Sequence, residues 1–195
     1  MKELNCDYLI VGAGAAGCVV SNRLSNNPNN NVICIEAGGK DTNLFIKIPA
    51  GFSKTVYNDK INWPYYTEET DNTANRKIRF PRGKVVGGSS SINGHLYVRG
   101  QANDYDGWAQ KGCLGWSWSD VLPYFMKAET RPEGNKNFRG NEGPLHISDL
   151  TSPHPLAKLF IETAHSIGIK KNTDYNSGDQ EGSFLYQTMI KNSMR

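Results

Sequence analysis

Apolar and polar positions along the first forty residues fall into a clear order. Residues 7–11 (DYLIV) are a short β-branched and aromatic run followed at once by glycines, which predicts a buried strand. Residues 15–25 carry good helix formers with apolar positions at Val19, Val20 and Leu24, and the turn-forming string NNPNNN at 26–31 ends them. A helix and a return loop are expected there. The next run, VICI at 32–35, is apolar throughout, as a parallel strand covered on both faces would be. Strand, helix and strand together make a βαβ unit of about the usual 30 residues.

Beyond Gly38 the periodicity fades. As far as Phe80 the chain is rich in Gly, Pro, Asn and aromatic residues, and an extended excursion is expected rather than packed helices. Trp63, Tyr65 and Tyr66 within it read first as packing anchors. Order returns with Ser119 as the expected cap of a helix through Val121, Leu122, Phe125 and Met126, Pro123 falling in its first turn. A second helix is expected over residues 154–167, with Leu156, Leu159, Phe160, Thr163 and Ala164 on one apolar face. The closing string SFLYQTMIKNSMR reads as a strand and a polar turn, and a lone terminal strand needs a partner that the sequence ends before supplying.

Gly12, Gly14 and Gly17 spell G-x-G-x-x-G between the first strand and the first helix. In that context the first glycine permits a tight turn, the second lets backbone approach a pyrophosphate, and the third lets helix and strand pack closely. The pyrophosphate would sit on the helix N-terminus, where unpaired N–H groups favour negative charge. Glu36 follows Gly17 by 19 residues, at the end of the second strand, where an acid hydrogen-bonds ribose hydroxyls. The expected fold class is therefore α/β, a Rossmann-like dinucleotide-binding domain. The fingerprint does not separate FAD from NAD, which place the same adenosine diphosphate in the same crevice.

Composition narrows the classes of function. Among 195 residues, 37% are hydrophobic and 21% charged, with a net charge of +3 spread along the chain. This describes a globular protein and argues against nucleic acid as a partner. No apolar run is long enough to span a bilayer, and the N-terminus enters its first strand without an apolar leader, so a cytoplasmic location is expected, with peripheral membrane association left open. Cys6, Cys18, Cys34 and Cys113 lack zinc-site spacing. Free thiols are expected, with Cys18 and Cys34 as small core residues.

A second glycine cluster opens at Pro81: PRGKVVGGSSSINGHLYVRGQANDYD. Its paired glycines allow a sharp backbone path, and Ser89, Ser90, Ser91 and Asn93, beside the basic pair Arg82 and Lys84, offer an anion cradle or donors for the polar edge of a flavin. The alternative is a serine-rich turn with self-satisfied hydroxyls. The spacing of Gly83, Lys84, Gly87, Gly88, Ser89, Ser90, Asn93, Tyr97, Gly100 and Asp106 resembles the first signature of the glucose-methanol-choline oxidoreductase family. INWPYYTE from Ile61, GWSWSDVLPYFMKAE from Gly115 and NEGPLHISD from Asn141 resemble its choline dehydrogenase and bacterial alcohol dehydrogenase branch.

The resemblance covers nearly the whole chain. It implies an FAD-dependent enzyme passing a hydride from the CH–OH carbon of a primary alcohol to the flavin. It implies an FAD-binding domain over residues 1–150, with a flavin-contacting excursion at 38–110, and the truncated start of a substrate domain over 151–195. Beside Gly12, Gly14, Ala15, Ala16, Gly17, Glu36 and Ala37, the expected cofactor contacts are Trp63, Arg82, Val86, Gly88, Ser89, Asn93, Gly94, His95 and Leu96. Ile92 stands where some members carry a flavin-linking histidine, so FAD is expected without a covalent bond. The family's catalytic histidine lies downstream of this match, and no catalytic residue is assigned among His95, His146, His154 and His165. His95 alone lies near the flavin motif. The chain by itself is expected to be inactive, with the missing C-terminal half a candidate partner. An inactive FAD-binding or partner-binding remnant and a nicotinamide-dependent enzyme are the competing readings.

Overall fold

The structure, a computed structural model, describes residues 3–195. They form two compact units, one reaching to Gly94 and including Met194–Arg195, the other His95–Ser193.

In the first unit, β1 (Tyr8–Val11), α1 (Ala15–Ser25) and β2 (Val32–Ile35) form the expected βαβ arrangement. The two strands are parallel, in register from Tyr8↔Val32 to Val11↔Ile35. The turn after β1 is closed by the Gly12 N–H, which donates to the Ile35 carbonyl at 2.7 Å. At Gly17 a Cβ would stand 1.9 Å from the Gly12 carbonyl oxygen, so α1 approaches the turn more closely than any other residue there permits.

The strands are not covered as expected. Leu9 is 57% exposed and Val11 78%, and Cys18 and Cys34 are exposed free thiols rather than core residues. Two strands and one helix are too few layers to enclose a parallel sheet. The VICI pattern records a fuller burial than residues 3–195 provide among themselves.

Residues 38–80 also differ from the expected irregular excursion. They hold α2 (Leu44–Lys47), a 3-10 turn at Pro49–Gly51 and α3 (Phe52–Thr55). Helices of four residues are too short to write a period into the sequence, and α2 is set locally by the Asn43 side chain accepting the Phe45 N–H. Short β3 (Asn62–Trp63) then pairs antiparallel with β4 (Arg82–Gly83). Buried Asn62 ties this hairpin inward, donating to the carbonyls of Thr55 at 2.6 Å and Asn58 at 2.8 Å. Ile46, Val85 and Ile92, with Ile61 against them, make the apolar core. Trp63 and Tyr65 stack with ring centres 5.9 Å apart, but Tyr65 and Tyr66 are half exposed rather than packed as anchors.

The second unit contains β5 (Leu96–Tyr97), α4 (Ala102–Gln110), α5 (Trp118–Ala128), β6 (Glu129–Thr130), β7 (Leu145–His146), α6 (Pro155–Ser166) and β8 (Gln187–Thr188). The closing segment does find a partner: β8 runs antiparallel to β5, Leu96↔Thr188 and Tyr97↔Gln187. Ser117, not Ser119, caps α5, because only Ser117 lies three residues before Asp120, whose carboxylate accepts the Ser117 N–H at 3.0 Å. Pro123 lies inside the helix rather than in its first turn. Helix α6 matches its expected span, but its apolar face is open: Leu156 is 66% and Phe160 70% exposed, with only Ala164 buried.

Ionic and polar groups fill much of this unit's interior. Glu129 is fully buried and accepts from Arg139 at 2.8 and 3.1 Å and from the Gly140 N–H at 2.9 Å, with an Arg99 nitrogen 2.8 Å away. Arg139 also donates to Asp174 at 2.7 Å and Gln187 at 2.8 Å, and Asn176 donates to Gln187 at 2.9 Å. These bonds, with β5–β8, join residues 95–150 to residues 151–193. The compact units therefore divide at Gly94, ahead of the functional boundary expected at residue 150.

Burial alone would raise the Glu129 carboxyl, but the bonds from Arg139 and Gly140 and the charge of Arg99 outweigh it and hold its pKa below the ordinary value. Stability from a depressed carboxylate is present above the unfolded pKa and lost as pH falls through the folded one. Glu129→Gln should cost about 3–5 kcal/mol near neutral pH, since it takes from buried Arg99 its carboxylate partner and leaves Arg139 with Asp174 alone. The gap from wild type should narrow below the carboxyl's ordinary value of 4.5. Urea titrations across that range measure it, and equal midpoints at neutral pH would refute the network's importance.

Candidate functional site

The two glycine clusters meet backbone to backbone. Gly87 N–H donates to the Ala13 carbonyl at 2.7 Å, and Val86 N–H to the Gly39 carbonyl at 2.9 Å. Gly88, at φ +56°, leaves no room for a side chain: its Cβ would stand 2.9 Å from the Gly14 Cα. Beside this junction lies a cavity of about 490 Å³ lined by Val11, Gly12, Gly14, Ile35, Glu36, Ala37, Trp63, Gly83 and Gly88.

The cavity combines three kinds of surface. At the N-terminus of α1 the cap, Gly14, has no side chain and the first turn carries no acid, so its N–H groups and the positive end of the helix dipole stay available to an anion. Glu36 stands at the end of β2 with Oε2 accepting the Ala13 N–H at 2.8 Å and Oε1 the Gly38 N–H at 2.9 Å. A carboxylate has about four acceptor positions, so both oxygens keep capacity for a ligand's hydroxyls. Val11, Ile35 and the Trp63 ring give the apolar wall, with the Lys84 ammonium 4.5 Å from the Trp63 ring centre.

Of the expected contacts, Gly12, Gly14, Glu36, Ala37, Trp63 and Gly88 line this cavity. Ala15 and Ala16 are exposed in the first turn of α1, and Gly17 lies under it against Gly12. Arg82 is exposed, its guanidinium 3.7 Å from the centre of the Phe80 ring. Val86 and Gly94 are exposed, and Asn93 is half-buried.

The expected serine cradle is largely self-satisfied: Ser90 donates to the Gly87 carbonyl at 2.6 Å and Ser91 to the Val86 carbonyl at 2.8 Å. Ser89 differs, since its Oγ accepts the Gly83 N–H at 3.1 Å and keeps its own proton. His95 and Leu96 begin the second unit. His95 is buried at φ +64°, its carbonyl accepting the Met189 N–H at 2.9 Å, and Leu96 is exposed in β5. Helix-capping His154 accepts the Leu156 N–H at 3.2 Å.

The sequence did not single out Ala13, Val11, Ile35 or Gly38. Ala13 acts through its main chain, donating to Glu36 and accepting from Gly87, and no side chain announces that. Val11 and Ile35 are legible only once their strands are paired, because each is the last residue of its strand.

The family model for GMC oxidoreductase matches residues 6–195. The chain is 42% identical over 192 residues to an oxygen-dependent choline dehydrogenase of Rhizobium etli (strain CIAT 652), covering 98% of this chain and 35% of that relative. A pyridoxine 4-oxidase from Mesorbium loti shares the fold at a TM-score of 0.92 and 35% identity, over 98% of this chain and 38% of that one. An FAD-dependent oxidoreductase from Chaetomium thermophilum follows at 0.86 and 31%, over 96% and 34%. The chain thus spans about a third of the length of the curated relatives it matches. With the match running through both glycine clusters and almost every residue between the termini, the chain belongs to the glucose-methanol-choline (GMC) oxidoreductase family.

Proposed function

We propose that this chain supplies the FAD-binding part of an oxidoreductase that oxidises the CH–OH group of a primary alcohol, choline or a close relative of it. The observation that carries the reading is the cavity at the junction of the two glycine clusters, with a free helix N-terminus, an acid and an apolar wall around it. A nicotinamide reading accounts for Gly12 to Glu36 and leaves the second cluster without a task. The alcohol class follows the relatives, named for choline and pyridoxine oxidation.

When bound, FAD would supply the acceptor for the hydride leaving the alcohol carbon. The chain's own residues bind and orient. The α1 N-terminus would hold the diphosphate, with Ala15 and Ala16 offering main-chain N–H groups, and Glu36 would take the ribose hydroxyls. Val86, Gly88, Ser89, Asn93, Gly94, His95 and Leu96 would run along the flavin, with the Ser89 proton available to it. FAD would be held without a covalent bond: Ile92 has no nucleophile, and its side chain is 2% exposed in the core with Ile46 and Val85. The functional division into an FAD-binding domain, residues 1–150, and the start of a substrate domain, 151–195, belongs to the same proposal, as does a cytoplasmic location. Among the described residues no helix is long and apolar enough to cross a membrane.

Glu36→Ala should weaken FAD binding by about 1–3 kcal/mol, the cost of leaving buried polar partners unsatisfied, and denaturing the loaded protein should release all of its flavin. Fluorescence titration and a filtration assay after denaturation measure both; wild-type affinity in the variant, or flavin retained on the unfolded chain, would count against the reading.

Residues 1–195 alone should not turn over alcohol. Among the described residues no histidine lines the cavity, and the loss of a general base typically costs about a hundred- to ten-thousand-fold in rate. The purified chain loaded with FAD, assayed on choline and other primary alcohols with an artificial electron acceptor, tests this. Turnover matching a full-length relative would assign the base to this chain, with His95 the first candidate.

A further inference from the structure

Arg195 belongs to the first unit, a hundred residues and more in sequence from the segment it touches. Its Nη1 donates to the Ser90 carbonyl at 2.6 Å and to Asn93 Oδ1 at 3.2 Å, its Nη2 donates to the Asn93 carbonyl at 2.8 Å, and its backbone N–H donates to the Lys47 carbonyl at 3.1 Å. No carboxylate pairs with it among the described residues. The side chain is half-buried, and that burial pushes the guanidinium pKa down. A cation taken partly out of water with no counter-ion is costly unless its donors are well used. Here Nη1 and Nη2 are spent on one arc, the end of the turn that carries Gly88 and Ser89, through two carbonyls and the Asn93 side chain, while Nε is buried without a hydrogen-bond partner among the described residues.

We propose that Arg195 is a positioning residue for the cofactor: its guanidinium clamps the Ser90–Asn93 arc, fixing the path of the chain from Gly88 to Asn93 against which FAD is held. The inference rests on the FAD reading of this site. Buried Ile92, whose carbonyl accepts from Thr55 Oγ1 at 3.4 Å, anchors the middle of the arc in the core, and Arg195 holds its two ends at Ser90 and Asn93. Ser90 and Ser91 hydroxyls reach only carbonyls within the same segment, and the paired glycines that start the turn, both at positive φ, add backbone freedom. The planar fork of arginine spans two carbonyls at once, which a lysine ammonium, a single point charge, does not reproduce.

The test uses the wild-type chain, Arg195→Met and Arg195→Lys, each titrated with FAD by fluorescence, with the visible absorption and circular dichroism of bound flavin recorded beside far-UV dichroism of the apoproteins. The expected result is FAD binding about tenfold weaker in Arg195→Met, because part of what the three lost bonds contribute returns as the cost of ordering the arc when FAD binds. Arg195→Lys should recover only part of it, and in both variants the flavin bands should shift toward those of free FAD while the far-UV spectrum stays as in wild type. Arg195→Lys guards against a methionine variant that does not fold, since it keeps the charge and most of the volume. Wild-type affinity and flavin spectra in Arg195→Lys, or in a folded Arg195→Met, would overturn the clamp and leave the FAD reading standing. A wild-type chain that binds no FAD would overturn the reading of the site and the clamp with it.

Discussion

Everything proposed for the first unit depends on one contact, the docking of two glycine-rich turns through their main chains. The Gly87 N–H bonds the carbonyl of Ala13, and Gly88 sits where any Cβ would press on the Gly14 Cα. Because Gly14 and Gly88 carry no side chains where they meet, two peptide planes share the space that one side chain would fill. The consequence reaches Glu36, because the same Ala13 that accepts from Gly87 donates to the Glu36 carboxylate. Turn, acid and second cluster are thus held by one residue whose side chain is a methyl group.

This explains what was legible in the sequence. The strand–glycine–helix–strand–acid order gave the βαβ unit with its helix bounds, since an 11-residue helix between four-residue apolar runs leaves a readable period. Gly12, Gly14, Gly88 and Glu36 were readable because glycine spacing and an acid at a strand end are side-chain facts. Ala13 and Gly38 were not, because their roles are main-chain hydrogen bonds, and the serines could be read either as a cradle or as the self-satisfied turn that Ser90 and Ser91 form. The four-residue helices near Leu44 and Phe52 escaped for the same physical reason: a single turn is fixed by a cap and by what it packs on, not by periodicity.

The second unit shows a different limit. Apolar patterning predicted a buried face on α6, and the structure leaves Leu156, Leu159 and Phe160 open while burying Glu129, Arg99 and Arg139. Hydropathy cannot forecast a charged interior, since each of these residues is costly to bury alone and tolerable only when the partners arrive together. Those partners come from positions as far apart as Arg99 and Gln187, so the pattern exists in space and not along the chain. The open faces of α6 and of β1–β2 make a complementary point: the periodicity reports how much surface the sequence is built to bury, and in a chain spanning a third of its relatives' length that exceeds what residues 3–195 cover.

The chain's route gives Arg195 its place in this economy of contacts. It leaves the first unit at Gly94, builds the whole of the second unit, and re-enters the first at Met194. The exit and the return lie side by side, because the Arg195 guanidinium is bonded to Asn93, the residue before the exit glycine. Closing a loop of that length costs chain entropy that grows only slowly with the number of residues enclosed, so a few charge-assisted bonds can hold it. They close it on the arc beside the second glycine cluster. An insertion whose two ends are pinned beside the second glycine cluster can grow or change inside without displacing that turn.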